Sequence, residues 1–520
     1  MPIRPAPRPA HRLLTALDTG LNRLAGAEWN PLYQSGAVAV LLLLVLLGTG
    51  LWLLLFYRIG APWASVAGLQ ASPWAGRWVR TLHRYASDAA VVAVGVHALR
   101  MWAQRRTAGA RALAWLSGLV SLAVVVACAW TGFVMVWDSF GRELALEGAR
   151  LLDALPFLSE RLGRTFATGE PPAAFFFLNL FLHVALPLGV GLLVWLHVSR
   201  LARPALLPPR RLAWGTAGAL LVVAVVIPAP LGPLGDAQVL PATIPLNLFY
   251  GAWLPFTRAL PPVAVWGAAF ALTLLLLLVP RWTRAAPAER PPSVVDERVC
   301  TGCEQCALDC PYGAITMLPR TDGRATAVAQ VDPALCVSCG ICAGSCAPMG
   351  VGPAGRTGRD QLQDLRAMLA AEPGVRDRVL VLACAHSALW LAPPLEARGA
   401  VVLGVDCAGS LHTSVVERAL RAGAAGTLVL SCHPRDCHNR EGARWLEERL
   451  FHGREAELQE RVDRRRVAVA YVTARDAAVA VEALEALSAR VGPQADVPPD
   501  DPGEEARECE AVGGERRVTG

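Results

Sequence analysis

The 520-residue chain is 54% hydrophobic and 18% charged, where a soluble globular domain carries about 25% charged residues, so a wholly soluble protein is excluded. At about 150 residues per domain, one compact fold is excluded as well. The net charge is +6, and every basic residue is Arg, spread along the chain; this pattern reads as base composition, and no nucleic-acid partner is expected.

The Arg- and Pro-rich residues 1–35 read as a cytoplasmic N-terminal segment without a cleavable signal peptide, because the apolar stretch that follows is long enough to span a bilayer. Residues 36 to 56 match the roughly 20 apolar residues that cross a hydrocarbon core. Further spans are expected at about 83 to 103, 113 to 137, 175 to 198, 212 to 229 and 263 to 280, giving a membrane domain over 36–284. Six crossings put both termini on one side. Arg4, Arg8, Arg12 and Arg23, then Arg100, Arg105, Arg106 and Arg111, then Arg200, Arg203, Arg210 and Arg211, and finally Arg281 and Arg284 mark that side as cytoplasmic. The loop after the third span carries Asp138, Glu143, Glu147, Asp153 and Glu160 among fewer Arg, as an outer loop should.

The second span holds His83 and His97, and the fourth holds His183 and His197. Fourteen residues turn a helix through about 1400°, within about 40° of four whole turns, and rise about 21 Å. Each pair therefore shares a helix face. Since the second and fourth spans run in the same direction, His83 meets His183 toward the outer side and His97 meets His197 toward the cytoplasm. A single intramembrane His would suggest hydrogen bonding to a neighbouring helix; four ionisable groups at matched spacing point to two haems b, each held between two imidazoles.

On these residues the chain resembles the N-terminal half of cytochrome b from quinol-oxidising bc-type complexes. The segment GRWVRTLH (76 to 83) is similar to that family's approach to its first ligand, and Pro187 follows His183 by four. The resemblance implies that Arg80 and Arg100, three residues from His83 and His97, pair with haem propionates; interface arginines that snorkel are the alternative. Two departures stand out. The family's Gly-Tyr-x-Leu-Pro-Trp-Gly segment reads Gly132, Phe133, Val134, Met135, Val136, Trp137, Asp138, without the proline. Its Pro-Glu-Trp-Tyr quinol-site motif should fall near IPLNLFYGAW (244 to 253), where no Glu occurs.

A Pro-rich linker (285–293) separates the membrane part from a Cys-rich one. The clustering of Cys here argues for metal ligation over a disulfide framework, as a reducing cytoplasm also requires. Cys300, Cys303, Cys306 and Cys310 precede Pro311 in a C-x2-C-x2-C-x3-C-P run, and Cys336, Cys339, Cys342 and Cys346 repeat the spacing, with Ala347 before Pro348. In such runs three thiolates hold one cluster and the fourth reaches to the other. One [4Fe-4S] cluster is thus expected on Cys300, Cys303, Cys306 and Cys346, and a second on Cys336, Cys339, Cys342 and Cys310. Structural zinc is the alternative. The segment, 294–355, resembles a bacterial two-cluster ferredoxin, which implies a small α+β fold.

From about 376, apolar runs alternate with helical stretches, the pattern of a parallel α/β sheet. Cys384, Cys407 and Cys432 stand at the carboxyl ends of expected strands, and Cys437 lies five residues past Cys432. In an open parallel sheet those ends converge on one crevice. Four thiolates there suit a [2Fe-2S] cluster or zinc; buried structural Cys is the alternative. The stretch from Asp406 to His438 resembles the delta subunit of methyl-viologen-reducing hydrogenase, which implies an iron-sulfur domain over 358–491 that docks flavoproteins or hydrogenases. That family usually shows Cys-x-x-Cys at the first position, where Ser387 follows Cys384 here; His386, His433 or His438 could substitute for a thiolate. Cys128 and Cys509 read as non-ligands, and the Pro-, Gly- and Glu-rich tail from 492 to 520 as disordered.

The expected architecture is therefore multi-domain: an all-α transmembrane bundle with bis-His haems, a ferredoxin-like α+β segment, and an α/β parallel-sheet domain. The expected role is a multi-pass electron-transfer subunit of a bacterial or archaeal cytoplasmic membrane. It would link a quinone pool to a soluble flavoprotein, hydrogenase or reductase. A cytochrome b anchor of a hydrogenase or heterodisulfide-reductase-like complex without its own quinone site, and a membrane redox sensor, are the alternatives.

Overall fold

A computed structural model describes residues 9–156, 171–236, 247, 249–283, 291–371, 373–454 and 456–491. The tail 492–520 and most of the linker 285–293 lie outside the described residues. The chain divides into two bodies, Trp29–Ala285 on one hand and Met1–Glu28 with Ala286–Gly520 on the other.

Helix α1 (Pro9–Ala25) belongs to the second body and is taken up with it. The first body is helical: α2 (Ser35–Leu54), α3 (Pro62–Ala71), α4 (Gly76–Ala103), α5 (Ala112–Val136), α6 (Ser139–Leu152), α7 (Ala173–Val198), α8 (Arg210–Val226), α9 (Leu254–Ala259) and α10 (Pro262–Trp282). Among the described residues four stretches are long and apolar enough to cross a membrane: Ser35–Leu54, Gly109–Val136, Ala173–Val198 and Pro262–Trp282. Both remaining expected spans are helices too. Helix α4 has 28 residues but carries Arg77, Arg80, Arg84, Asp88 and Arg100, and Arg or Asp at a bilayer centre costs about 2.5–3.5 kcal/mol on insertion scales. Part of that cost is offset within the helix, where Arg84 and Asp88 pair at 2.6 Å. Helix α8 has 17 residues, at the short limit for a crossing.

Helix α5 ends because Trp137 takes a left-handed conformation (φ 53°), after which Asp138 caps α6 by accepting from Gly141 N at 2.9 Å. The segment without the family's proline thus turns on a tryptophan. Its ring is buried against Phe176 at 5.1 Å, within a cluster of Val134, Phe140, Leu144 and Leu254. Two acids of this loop are paired: Glu143 with Arg258 and Arg142, and Glu147 with Arg150.

The second body holds α1 and the Cys-rich half. Strand β1 (Ser293–Val295) pairs antiparallel with β4 (Val351–Pro353), and β2 (Ile315–Pro319) with β3 (Ala327–Val331). Two five-residue helices, α11 (Gln305–Asp309) and α12 (Ile341–Ser345), follow the two cysteine loops. Strand β1 starts inside the expected linker, so the last linker residues are structural. Helix α13 (Gly358–Ala371) leads into a four-stranded parallel sheet of β5 (Val379–Cys384), β6 (Val401–Val405), β7 (Gly426–Ser431) and β8 (Val467–Tyr471) in the order β6-β5-β7-β8. The short α14 (Ala392–Glu396), then α15 (Thr413–Arg421), α16 (Gly442–Phe451) and α17 (Ala477–Val491) complete the domain. Strands β5 and β7 are buried at every position, which explains why they read as unbroken apolar runs without alternation.

Candidate electron-transfer centres

The two histidine pairs of the membrane body meet as the 14-residue spacing requires. His83 and His183 have ring centres 6.3 Å apart, and His97 and His197 6.2 Å apart. A metal midway, bonded at about 2.0–2.1 Å to each imidazole nitrogen, calls for a separation of this size once the ring radii are included. The outer nitrogens fix the tautomers. Thr49 Oγ1 donates to Val45 O at 2.7 Å and lies 2.9 Å from His83 Nδ1. Ser117 Oγ donates to Ala114 O and lies 3.2 Å from His197 Nδ1. Thr131 Oγ1 donates to Cys128 O at 2.7 Å and lies 3.1 Å from His183 Nδ1, which also stands 2.9 Å from the Cys128 carbonyl. Each hydroxyl spends its proton on a carbonyl and so accepts from Nδ1–H. The Nε2 lone pair of these three rings is left for a metal.

Four glycines make room for the rings. A Cβ on Gly36 would stand 3.0 Å from His97, on Gly50 3.3 Å from His83, on Gly118 3.2 Å from His197 and on Gly132 2.8 Å from His183. The donor set and this clearance fit a planar group held between two imidazoles. Sequence reasoning missed the glycines, although a signal existed: Gly36 and Gly50 on α2, and Gly118 and Gly132 on α5, repeat the 14-residue interval of the histidines. It also missed Cys128, whose carbonyl accepts from His183.

Arg80 donates to Gln70 Oε1 at 2.7 Å and to the carbonyls of Ala229 and Pro230. Arg100 is buried with its guanidinium 4.8 Å from the Tyr33 ring centre. Of the expected quinol-site segment, Asn247 and residues 249–253 are described; Asn247 Oδ1 accepts from the backbone N–H of Phe249, Tyr250 and Gly251, and Tyr250 donates to Val126 O at 2.6 Å.

In the second body the eight ferredoxin-type cysteines divide between two cavities. One is lined by Cys300, Cys303, Cys306 and Cys346. The other is lined by Cys310, Cys336, Cys339 and Cys342. These are the crossed sets that the spacing requires. Both loops bend alike: the residues two and four after the first Cys have positive φ, Gly302 and Glu304 in one, Ser338 and Gly340 in the other. Glu304 and Ser338 are non-glycine residues in a conformation that few adopt. Backbone amides aim at the thiols at matching places, Ala314 N to Cys310 Sγ at 3.4 Å and Gly350 N to Cys346 Sγ at 3.3 Å. Ser293 adds an N–H 3.4 Å from Cys336 Sγ and a hydroxyl 3.3 Å from Cys342 Sγ. Burial and neighbouring thiols push Cys306 and Cys342 up to about 12, so these groups give thiolates only beside compensating positive charge. Four thiols ring each cavity, a donor set that fits a multi-iron cluster.

Cys384, Cys407, Cys432 and Cys437 are all buried and come together at the carboxyl end of the sheet. The sheet order puts the topological switch between β5 and β7, the strands that deliver Cys384 and Cys432. A hydrogen bond from Cys432 lowers the Cys384 thiol, and hydrogen bonds from Cys407 and Cys432 lower Cys437. Gly442 closes the site, since a Cβ there would stand 2.8 Å from Cys407 Sγ and 3.2 Å from Cys437 Sγ. Ser387 is buried, and its hydroxyl has no hydrogen-bond partner. His386 and His438 stack on one another at 3.7 Å, while His433 lies 6.4 Å from the Tyr471 ring centre. The four-thiol set at a switch-point crevice fits a small iron-sulfur cluster.

Comparison with known proteins follows the same division. Residues 22–204 match the cytochrome b/b6/petB family, residues 299–350 the 4Fe-4S dicluster domain, and residues 397–492 the delta subunit of methyl-viologen-reducing hydrogenase. Relatives of the first part include the menaquinol:cytochrome c reductase cytochrome b subunit of Geobacillus thermodenitrificans, 24% identical over 32% of this chain and 79% of the relative. Another is cytochrome b6 of Heliobacterium mobile, 28% identical over 32% of this chain and 80% of the relative. The chain thus joins, in order, a cytochrome b-like membrane part, a two-cluster 4Fe-4S part and a hydrogenase delta-subunit-like part, as a membrane electron-transfer subunit would.

Proposed function

We propose that the protein carries electrons between a quinone pool and a soluble flavoprotein, hydrogenase or reductase, through two haems b, two [4Fe-4S] clusters and a [2Fe-2S] cluster. The supporting observation is the convergence of four His and twelve Cys from separate stretches of sequence into five donor sets: two His pairs, two four-Cys cavities and one four-Cys crevice. Haem b and iron-sulfur clusters supply one-electron chemistry. The chain's own residues orient and tune: Thr49, Ser117 and Thr131 hold the imidazole tautomers, and the amides of Ala314 and Gly350 stabilise negative charge on sulfur. Arg80 and Arg100 would compensate haem carboxylates. The soluble partner would approach the crevice of Cys384, Cys407, Cys432 and Cys437.

A second reading, an anchor that does not oxidise quinol at an outer site, is favoured by one observation: IPLNLFYGAW has no carboxylate. Potentiometric titration of the purified protein separates them. Reduction of the haems, then of the iron-sulfur centres, by a menaquinol analogue supports the first reading; haems that respond to dithionite but to no quinol would leave the anchor.

A further inference from the structure

Arg449, on α16, is 1% exposed, yet its guanidinium touches three cysteine loops at once. Nη1 donates to the Gly409 carbonyl at 2.9 Å, two residues past Cys407. Nη2 donates to the Ile341 carbonyl at 3.1 Å, one residue before Cys342, and to Ser345 Oγ at 2.8 Å, one residue before Cys346. The same nitrogen lies 3.4 Å from Asp309 Oδ2, one residue before Cys310. Asp309 is equally buried and is held also by Arg454, whose guanidinium lies 4.6 Å from the Trp445 ring centre. Gly344 permits the approach, because a Cβ there would collide with Arg449 Nη1.

A buried ion pair is weak evidence for stability, since well-packed apolar residues in its place are often neutral or stabilising. The arrangement needs another reason, and position supplies one. The guanidinium lies one hydrogen bond from the immediate neighbours of ligands in both ferredoxin-type cavities, and one from the loop of the four-thiol crevice. Tunnelling between centres weakens steeply across empty gaps and less through bonded and hydrogen-bonded contacts. Arg449 and Asp309 are both buried, where charge acts more strongly than in water, and the quarter-exposed Arg454 leaves the triad with one net positive charge.

We propose that Arg449 is a positioning residue that couples the ferredoxin-type clusters to the four-thiol centre, setting both the rate of transfer between them and the potential of the [4Fe-4S] pair. The inference rests on the reading of these thiols as cluster ligands. The step is a transfer of one electron between iron-sulfur centres: one is oxidised as the other is reduced, with no bond broken and no proton moved.

The test uses the full-length protein with R449Q and R449K. Dithionite enters at the iron-sulfur body, so quinone chemistry is not needed; redox titration and rapid-freeze electron paramagnetic resonance read potentials and the order of reduction. R449Q should keep its iron, shift the [4Fe-4S] reduction equilibrium about tenfold toward the oxidised form, about 59 mV for one electron, and slow transfer to the four-thiol centre at least tenfold. R449K should keep the potential and lose the rate. Unchanged potentials and rate in a fully loaded R449Q overturn the proposal. If R449Q loses iron, R449K decides: a normal rate overturns it, as does loss of iron there too, which would make the residue a structural clamp. Eight irons and no third redox centre in the parent would overturn this proposal together with the reading of the crevice, whereas failure of quinol to reduce the haems would strike the quinone link alone.

Discussion

Gly132 lies against the ring of His183: a Cβ on the glycine would stand 2.8 Å from His183 Cε1. Real Cβ atoms essentially never come so close, and overpacking of this kind costs about 1–3 kcal/mol. Gly132→Val should therefore displace His183 and lower the occupancy of the site it shares with His83. Gly36→Val should do the same for His97 and His197. In each variant the reduced-minus-oxidised b-type absorbance is expected to fall by about half, from a different haem in each case. Full absorbance with unshifted potentials in Gly132→Val would show that the ring has room to move.

The two sites should also be independent at the level of ligands. His83 meets His183, and His97 meets His197, in separate pairs. Replacing His97 or His197 by Leu should remove one haem and leave the other, measurable as one midpoint potential where the parent shows two. Loss of both haems from a protein that still inserts would contradict separate sites.

The histidine pairs, the crossed cysteine sets and the parallel sheet were legible because each depends on a local period: 14 residues for a shared helix face, three for a cysteine loop, an apolar run for a buried strand. What was not legible depends on contacts between distant segments. Nothing near Arg449 in sequence announces Asp309 or Ser345, and nothing in α1 announces Thr473. The four glycines were an intermediate case, visible as a spacing but without meaning until a ring stood beside each. The helix Gly76–Ala103 was read as a span from its apolar centre, while its four Arg and one Asp keep its mean hydropathy low.

Helix α1 carries a prediction about topology. Leu14, Thr15, Asp18 and Thr19 are buried, and Thr19 Oγ1 lies 3.3 Å from Thr473 Oγ1, just past the end of β8. A helix that precedes the first span thus packs on the domain that follows the last, which requires an even number of crossings between them. Labelling single reporters at residue 10 and in the α/β domain should give the same accessibility in sealed vesicles of either orientation. Opposite accessibility would rule out this packing in the membrane.

The iron-sulfur body should fold apart from the spans when it starts early enough. Pro291 O accepts from Ser338 Oγ at 2.5 Å, and Ser293 sits against Cys336 and Cys342. A fragment from 291 to 491 should carry about ten irons, as four, four and two. One that starts at 297 lacks β1 and should lose about four, from the cavity of Cys310, Cys336, Cys339 and Cys342. Iron and sulfide analysis of the two fragments checks this; equal content would show that β1 is dispensable.

The last prediction concerns the crevice at the end of the sheet. Cys432 follows β7 directly, is 5% exposed and donates to Cys384, so it sits at the switch point between β5 and β7, where an open sheet binds its ligand. Serine keeps the size and a hydrogen bond but is a poor partner for iron. A Cys432→Ser protein should therefore keep both haems and both [4Fe-4S] clusters, lose the third iron-sulfur signal, and fail to pass electrons to a soluble flavoprotein or hydrogenase. The strand ends are rigid, since β5 and β7 are buried throughout, and the change should leave the sheet in place. Turnover that persists in this variant while the third signal is absent would take the crevice off the electron path, and would leave the cavities of Cys300 and Cys336 as the point where the partner docks.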